Sequence, residues 1–123
     1  MEDKRVTPLC EAGEEAALMV LERRGHTIRE RGWECKYGSV DIVAFDNDRN
    51  HLVFTEVQTR MGAQNGFPEY IMDEKKRARY EKIAACYLNE SDVTDCGVRF
   101  DVIAVVFLDN RNAFVHQHTN VWG

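Results

Sequence analysis

The chain reads as an α/β protein built on a mixed β-sheet flanked by helices. Three observations predict that class. Two segments place apolar residues at helical spacing, the remaining apolar segments are short strand-like runs, and the order along the chain is helix, three strands, helix, two strands.

Each element has its own signal. The first helix is framed over about 8–24 by Thr7 as N-cap, Pro8 at the first helical position and Gly25 just past the end. Leu9, Ala12, Ala16, Met19 and Val20 repeat at helical spacing inside it. Strand-like runs follow at about 26–31, 38–46 and 51–58, and Asp46-Asn47-Asp48-Arg49-Asn50 is a turn that makes a hairpin of the last two. Met61 to Phe67 reads as a mobile loop, after which Pro68 opens a long helix reaching about Asn89. Tyr80, Ile83, Ala84, Tyr87 and Leu88 form the buried stripe of that helix, leaving Lys75, Lys76, Arg79 and Lys82 more exposed. Phe100 to Leu108 is a nearly unbroken apolar strand, and Ala113 to His118 a last, more polar one.

Length and composition exclude several classes. With 123 residues, 44% hydrophobic and 30% charged, the chain is expected to form a single folded domain over 1–123 rather than a disordered segment. No apolar stretch approaches the roughly 20 residues that span a bilayer, and Met1-Glu2-Asp3-Lys4-Arg5 lacks the apolar core of a signal peptide, so a cytoplasmic protein without a membrane partner is expected. Cys10, Cys35, Cys86 and Cys96 form no Cys-x-x-Cys pair and are read as reduced thiols. His116 and His118 share a strand face and are read as part of a solvated terminal strand. The net charge of -5 argues against a surface that is basic all over. Any nucleic-acid binding must be local; Lys75, Lys76, Arg77, Arg79 and Lys82 form the denser basic group, of which Lys75, Lys76, Arg79 and Lys82 are the expected contacts.

Two acids stand out because each interrupts an apolar run: Asp41 in Gly38-Ser39-Val40-Asp41-Ile42-Val43 and Glu56 in Val53-Phe54-Thr55-Glu56-Val57-Gln58. An ionised carboxylate in such a place is costly without a cation, hydrogen bonds or water. Alternation puts Ser39 with Asp41 on one face of the first hairpin strand, and Glu56 with Gln58 on one face of the second. A register that sets Asp41 beside Glu56 would converge their oxygens on one ion.

These segments, with Gly13-Glu14, Ala17, Val20-Leu21 and Gly25 before them and Arg99-Phe100-Asp101-Val102-Ile103-Ala104-Val105 after, resemble the YraN family of bacterial nuclease-like proteins. The resemblance covers about residues 9–107, and the order and spacing of the motifs carry it more than any one of them. That family is similar to the Holliday-junction-resolvase branch of the PD-(D/E)XK nucleases. The resemblance therefore implies a restriction-endonuclease-like fold and a metal-dependent nuclease site. It assigns Glu14, Asp41, Glu56 and the backbone carbonyl of Val57 to Mg2+ or Mn2+, and Asp41, Glu56 and Gln58 to catalysis.

Two positions depart from the family pattern. Gln58 falls where the motif usually has lysine, and Ser39 where this family usually has glutamate. An amide can hydrogen-bond but supplies no charge. The expected function is metal-dependent hydrolysis of nucleic acid, DNA foremost and branched DNA among its substrates, weakened by these departures. The alternative is a catalytically inactive nucleic-acid-binding or protein-interaction module on the same fold. Resolvase-like action would need two active sites and hence a homodimer.

Overall fold

The computed structural model describes residues 8–62, 73–109 and 111–121. Helix α1 (Pro8–Arg23) is followed by β1 (His26–Cys35), β2 (Gly38–Asp46), β3 (His51–Met61), α2 (Glu74–Glu90), β4 (Gly97–Phe107) and β5 (Ala113–His118). Strands lie in the order β1-β2-β3-β4-β5, antiparallel except for the parallel pair β3 and β4. This is the mixed sheet flanked by two helices that the sequence predicts, an α/β architecture of the restriction-endonuclease-like kind.

Connectivity explains the single parallel pair. The tight turn after Asp46 returns β3 against β2, whereas the long connection through α2 lets β4 run in the same direction as β3. Asp46 builds that turn itself, its Oδ1 accepting the N–H groups of Asp48 and Arg49 at 3.1 and 3.2 Å. β4 sits between two strands with a helix over each face, so every residue from Arg99 to Val106 is buried. On one face Leu18 and Leu21 of α1 pack on Ile42, Ile103 and Val105. On the other, Tyr80, Ile83 and Tyr87 of α2 pack on Val43, Phe54 and Phe100.

Several boundaries differ from the sequence reading. β1 continues beyond Arg31 to Cys35, past a register shift between Ile28 and Glu30 and through Gly32 at φ +63°. β3 extends to Met61 because β4 pairs it along its whole length, to Met61↔Phe107. α2 begins at Glu74, where Asp73 caps it by accepting the Lys76 N–H at 2.7 Å. Pro68, expected to open that helix, lies outside the described residues, as do Thr7 and positions 63–67 of the expected loop. Gly25 ends α1 in the left-handed region at φ +87°, where glycine carries no Cβ penalty.

Candidate functional site

The site arises where β2 and β3 part. Their ladder runs from Asp46↔His51 to Ile42↔Thr55. Val40 then packs in the cluster beneath α2 while Ile42 packs beneath α1, although residues two apart on a regular strand share a face. Alternation therefore breaks at Asp41, opposite the irregular stretch of β1 around Gly32. The Asp41 carboxylate fills in for the missing ladder partner: Val57 N–H donates to its Oδ2 at 2.8 Å.

Parting of the strands opens a cleft of about 430 Å³ lined by Ser39, Val40 and Asp41 from β2, Glu56 from β3, and Arg79 and Tyr80 from α2. Asp41 and Glu56 thus face one concavity. Gln58 reaches it through Glu56, its Nε2 donating to Oε2 at 3.4 Å. The other oxygen of Glu56 is more heavily engaged. Tyr80 donates its hydroxyl to Oε1 at 2.9 Å, and the Lys76 ammonium sits 3.2 Å from the same atom, with Lys76 and Glu56 side chains 24% and 22% exposed.

Glu14 enters from the other layer. A Cβ built on the neighbouring Gly13 would lie 2.0 Å from Thr59 Oγ1, so α1 crosses β3 at a distance only glycine allows. That approach brings Glu14 into the field of Asp41. Burial first, and the Asp41 charge second, push the Glu14 carboxyl above its usual range against the pull of Arg31, 3.9 Å away.

The donor set consists of oxygens: the Asp41 and Glu56 carboxylates of the cleft lining, Glu14 outside that lining but within the field of Asp41, and the Val57 carbonyl, which in an extended strand projects to the same edge as its N–H. Hard oxygen donors suit Mg2+ or Mn2+. The like-charge crowding of Glu14 and Asp41 fits a cation as well. As the side chains stand, no three carboxylate, imidazole or thiol groups are gathered to hold an ion among the described residues. The Lys76 ammonium occupies Glu56 instead.

The basic group divides. Lys75, Arg79 and Lys82 are exposed on α2, with Lys82 over the Tyr37 ring at 5.6 Å and Arg79 over the Tyr80 ring at 5.1 Å at the cleft wall. Lys76, expected among them, turns inward. Sequence reading set Lys76 on the exposed basic face and did not name Tyr80 as a site residue, yet 76, 80, 83 and 87 recur at helical spacing, so Lys76 prolongs the buried stripe by one turn. His116 and His118 lie with ring centroids 4.3 Å apart and planes tilted by 57° on β5, paired to β4 on the side away from β3.

At the opposite end of α1 lies a separate polar network. Arg99, 5% exposed, donates from Nη1 to Asp46 Oδ2 at 2.8 Å and from Nε to Asp101 Oδ1 at 3.0 Å. Asp101 also accepts from Gln117 Nε2 and the Asn120 N–H, both at 2.9 Å. Its groups bind one another and none of them lines the cleft.

Comparison with known proteins gives one consistent result. The family model described as "Uncharacterised protein family UPF0102" matches residues 13–105. A UPF0102 protein of Myxococcus xanthus is 41% identical over 106 residues, covering 85% of this chain and 82% of the relative. One from Moorella thermoacetica is 39% identical over 99 residues, covering 80% of each chain. Another, from Pelotomaculum thermopropionicum, is 41% identical over 95 residues, covering 77% of this chain and 78% of its own length.

Proposed function

The chain belongs to the uncharacterised protein family UPF0102, the YraN family, and from its cleft we propose that it is a metal-dependent nuclease acting on DNA. One observation carries the reading: Asp41, clamped by the Val57 N–H where two strands part, shares a concavity with Glu56 from the neighbouring strand. A purely structural acid would not need an open cleft of this size beside it.

Phosphodiester hydrolysis joins a water oxygen to phosphorus as the bond to the leaving sugar oxygen breaks, with one proton lost from the water and one gained by the leaving group. A magnesium or manganese ion held by Asp41, Glu56 and the Val57 carbonyl would polarise the phosphate and acidify that water. The chain's own residues prepare the ground. Tyr80 fixes the Glu56 rotamer from one side and Gln58 from the other. The Val57 N–H fixes Asp41 in the lining of the cleft. Arg79, at the cleft wall, offers a donor fork for a backbone phosphate, and Lys75 and Lys82 lengthen the basic track along α2. Cleavage of branched DNA on both strands would take two copies of the chain.

None of the four cysteines forms a disulfide among the described residues, which supports a cytoplasmic setting. A second reading has its own support: with a neutral amide at position 58 and an ammonium on Glu56, the fold could hold nucleic acid without cutting it. Cleavage of linear, flap and junction DNA with Mg2+ or Mn2+, by the wild type and Asp41→Ala, separates the two. Metal-dependent cutting that Asp41→Ala abolishes supports the enzyme. Binding of DNA with no cutting by the wild type or by Gln58→Lys, and no metal uptake by calorimetry, supports the module.

A further inference from the structure

We infer that Lys76, delivered from α2, supplies the positive charge of this site in place of the amide at position 58. The inference rests on the nuclease reading above and names a further residue of the same site. Its basis is that two positions address one carboxylate. The Lys76 ammonium lies 3.2 Å from Glu56 Oε1, and Gln58 Nε2 lies 3.4 Å from Glu56 Oε2. A cation carried on either residue reaches the same carboxylate, and Glu56 lines the cleft.

Burial separates Lys76 from its basic neighbours. Its side chain is 24% exposed and packs 5.8 Å from the Tyr80 ring, whereas Lys75, Arg79 and Lys82 are exposed. Lysine gives up rotamer freedom and hydration to sit there, and a solvated helix face requires neither. The whole helix supports the placement. Asp73 caps α2 through the Lys76 N–H itself, and Tyr80, Ile83 and Tyr87 anchor the turns that follow. The ammonium is thus held at the cleft by a capped, packed helix, able to face a phosphate oxygen while Glu56 takes part in binding a metal. Its contribution is electrostatic stabilisation of the charge that builds on the nonbridging oxygens, with no bond made or broken at nitrogen.

The test uses the full chain, with Mn2+ as the metal probe. Thermal melts identify folded variants. Calorimetry then gives Mn2+ affinity, and cleavage of the best DNA substrate gives rate. Lys76→Met is expected to lower the cleavage rate roughly 100-fold or more, the scale of losing one preorganised donor, while Mn2+ affinity holds or rises several-fold because a like charge has left the site. Lys76→Met combined with Gln58→Lys is expected to recover cleavage to within about tenfold of wild type, the ammonium now arriving from β3. Lys76→Arg should keep part of the rate.

The inference is overturned if Lys76→Met cuts as wild type does. It is equally overturned if Lys76→Met loses Mn2+ binding and the double variant restores nothing, since Lys76 would then be a prop for Glu56. A wild type that binds Mn2+ but cuts only after Gln58→Lys also overturns it, leaving the nuclease reading intact. If wild type and Gln58→Lys neither bind Mn2+ nor cut, the nuclease reading itself fails, and this inference with it.

Discussion

Replacing Arg99 by methionine removes the cation from the most deeply buried ionic network in the described part of the chain and leaves two carboxylates behind. Asp46 and Asp101 are 1% and 0% exposed. Burial alone would push the Asp46 carboxyl up. Burial is the largest single influence, but the Arg99 hydrogen bond, the Arg49 N–H and the charges of His26 and Arg99 together outweigh it and bring the carboxyl down to about 2 from 3.8. In the wild type this acid stabilises the fold above pH ~4 and loses its contribution as pH falls toward ~2, a difference on the order of 2–3 kcal/mol. In Arg99→Met the sign reverses, because each orphaned acid is easier to bury protonated. The penalty is expected to be about 3–5 kcal/mol at pH 7, a large part of the 5–15 kcal/mol of a typical domain, and to shrink markedly by pH 3. Urea unfolding of both proteins at the two pH values measures it. A penalty below about 1 kcal/mol at pH 7, or one that stays the same at pH 3, refutes the reasoning.

Other outcomes follow from single contacts. Gly13→Ala sets a methyl 2.0 Å from Thr59 Oγ1 and 2.9 Å from its Cγ2. The overpacking cost of about 1–3 kcal/mol should meet or exceed the roughly 1 kcal/mol gain in helix propensity, read as an unchanged or lowered midpoint in denaturant and not a raised one. Asp73→Ala removes the acceptor of the Lys76 N–H and should cost about 1 kcal/mol, with faster amide exchange confined to the first turn of α2. Reversing the charges of Lys75, Arg79 and Lys82 should weaken DNA binding and flatten its dependence on salt. Unchanged affinity at low salt would mean that this helix face only solvates the protein.

What was legible in the sequence follows how local each signal is. The limits of β2 and β5 coincide with their expected ranges, since turn residues and apolar alternation lie within the segment itself. The end of β3 was not legible: Thr59, Arg60 and Met61 look like loop and are ordered by their ladder to β4, some forty-five residues away. The start of α2 was misjudged because Pro68 is a louder signal than Asp73, although only Asp73 offers a side-chain acceptor to an unpaired N–H. Asp41 and Glu56 announced themselves by interrupting apolar runs. That they share a cleft depends on the break in alternation at Asp41, which no pattern of period two reveals. Lys76 was hidden in a charge run, and Arg99 at a strand start, because composition does not say which of several cations turns inward.

The two acidic groups on the α1 side of the sheet are built on opposite terms, and the contrast bears on function. Asp46 and Asp101 meet a fully buried guanidinium head on, with further N–H donors closing their remaining lone pairs, so nothing from outside is needed to hold them. Among the described residues the cation beside Glu14 is Arg31, 3.9 Å away and 51% exposed, and Glu14 remains within the field of Asp41 in a partly buried setting. A fold that can neutralise carboxylates as completely as Arg99 does has not done so around Glu14. Gly13 even draws α1 down onto β3 and holds that repulsion in place. Like charges kept together at an open cleft cost stability in the ligand-free chain, a cost that a divalent cation relieves and a sealed salt bridge would foreclose. On the nuclease reading proposed above, the carboxylates at the cleft are those a cation would engage, whereas those around Arg99 are already closed by the protein's own donors.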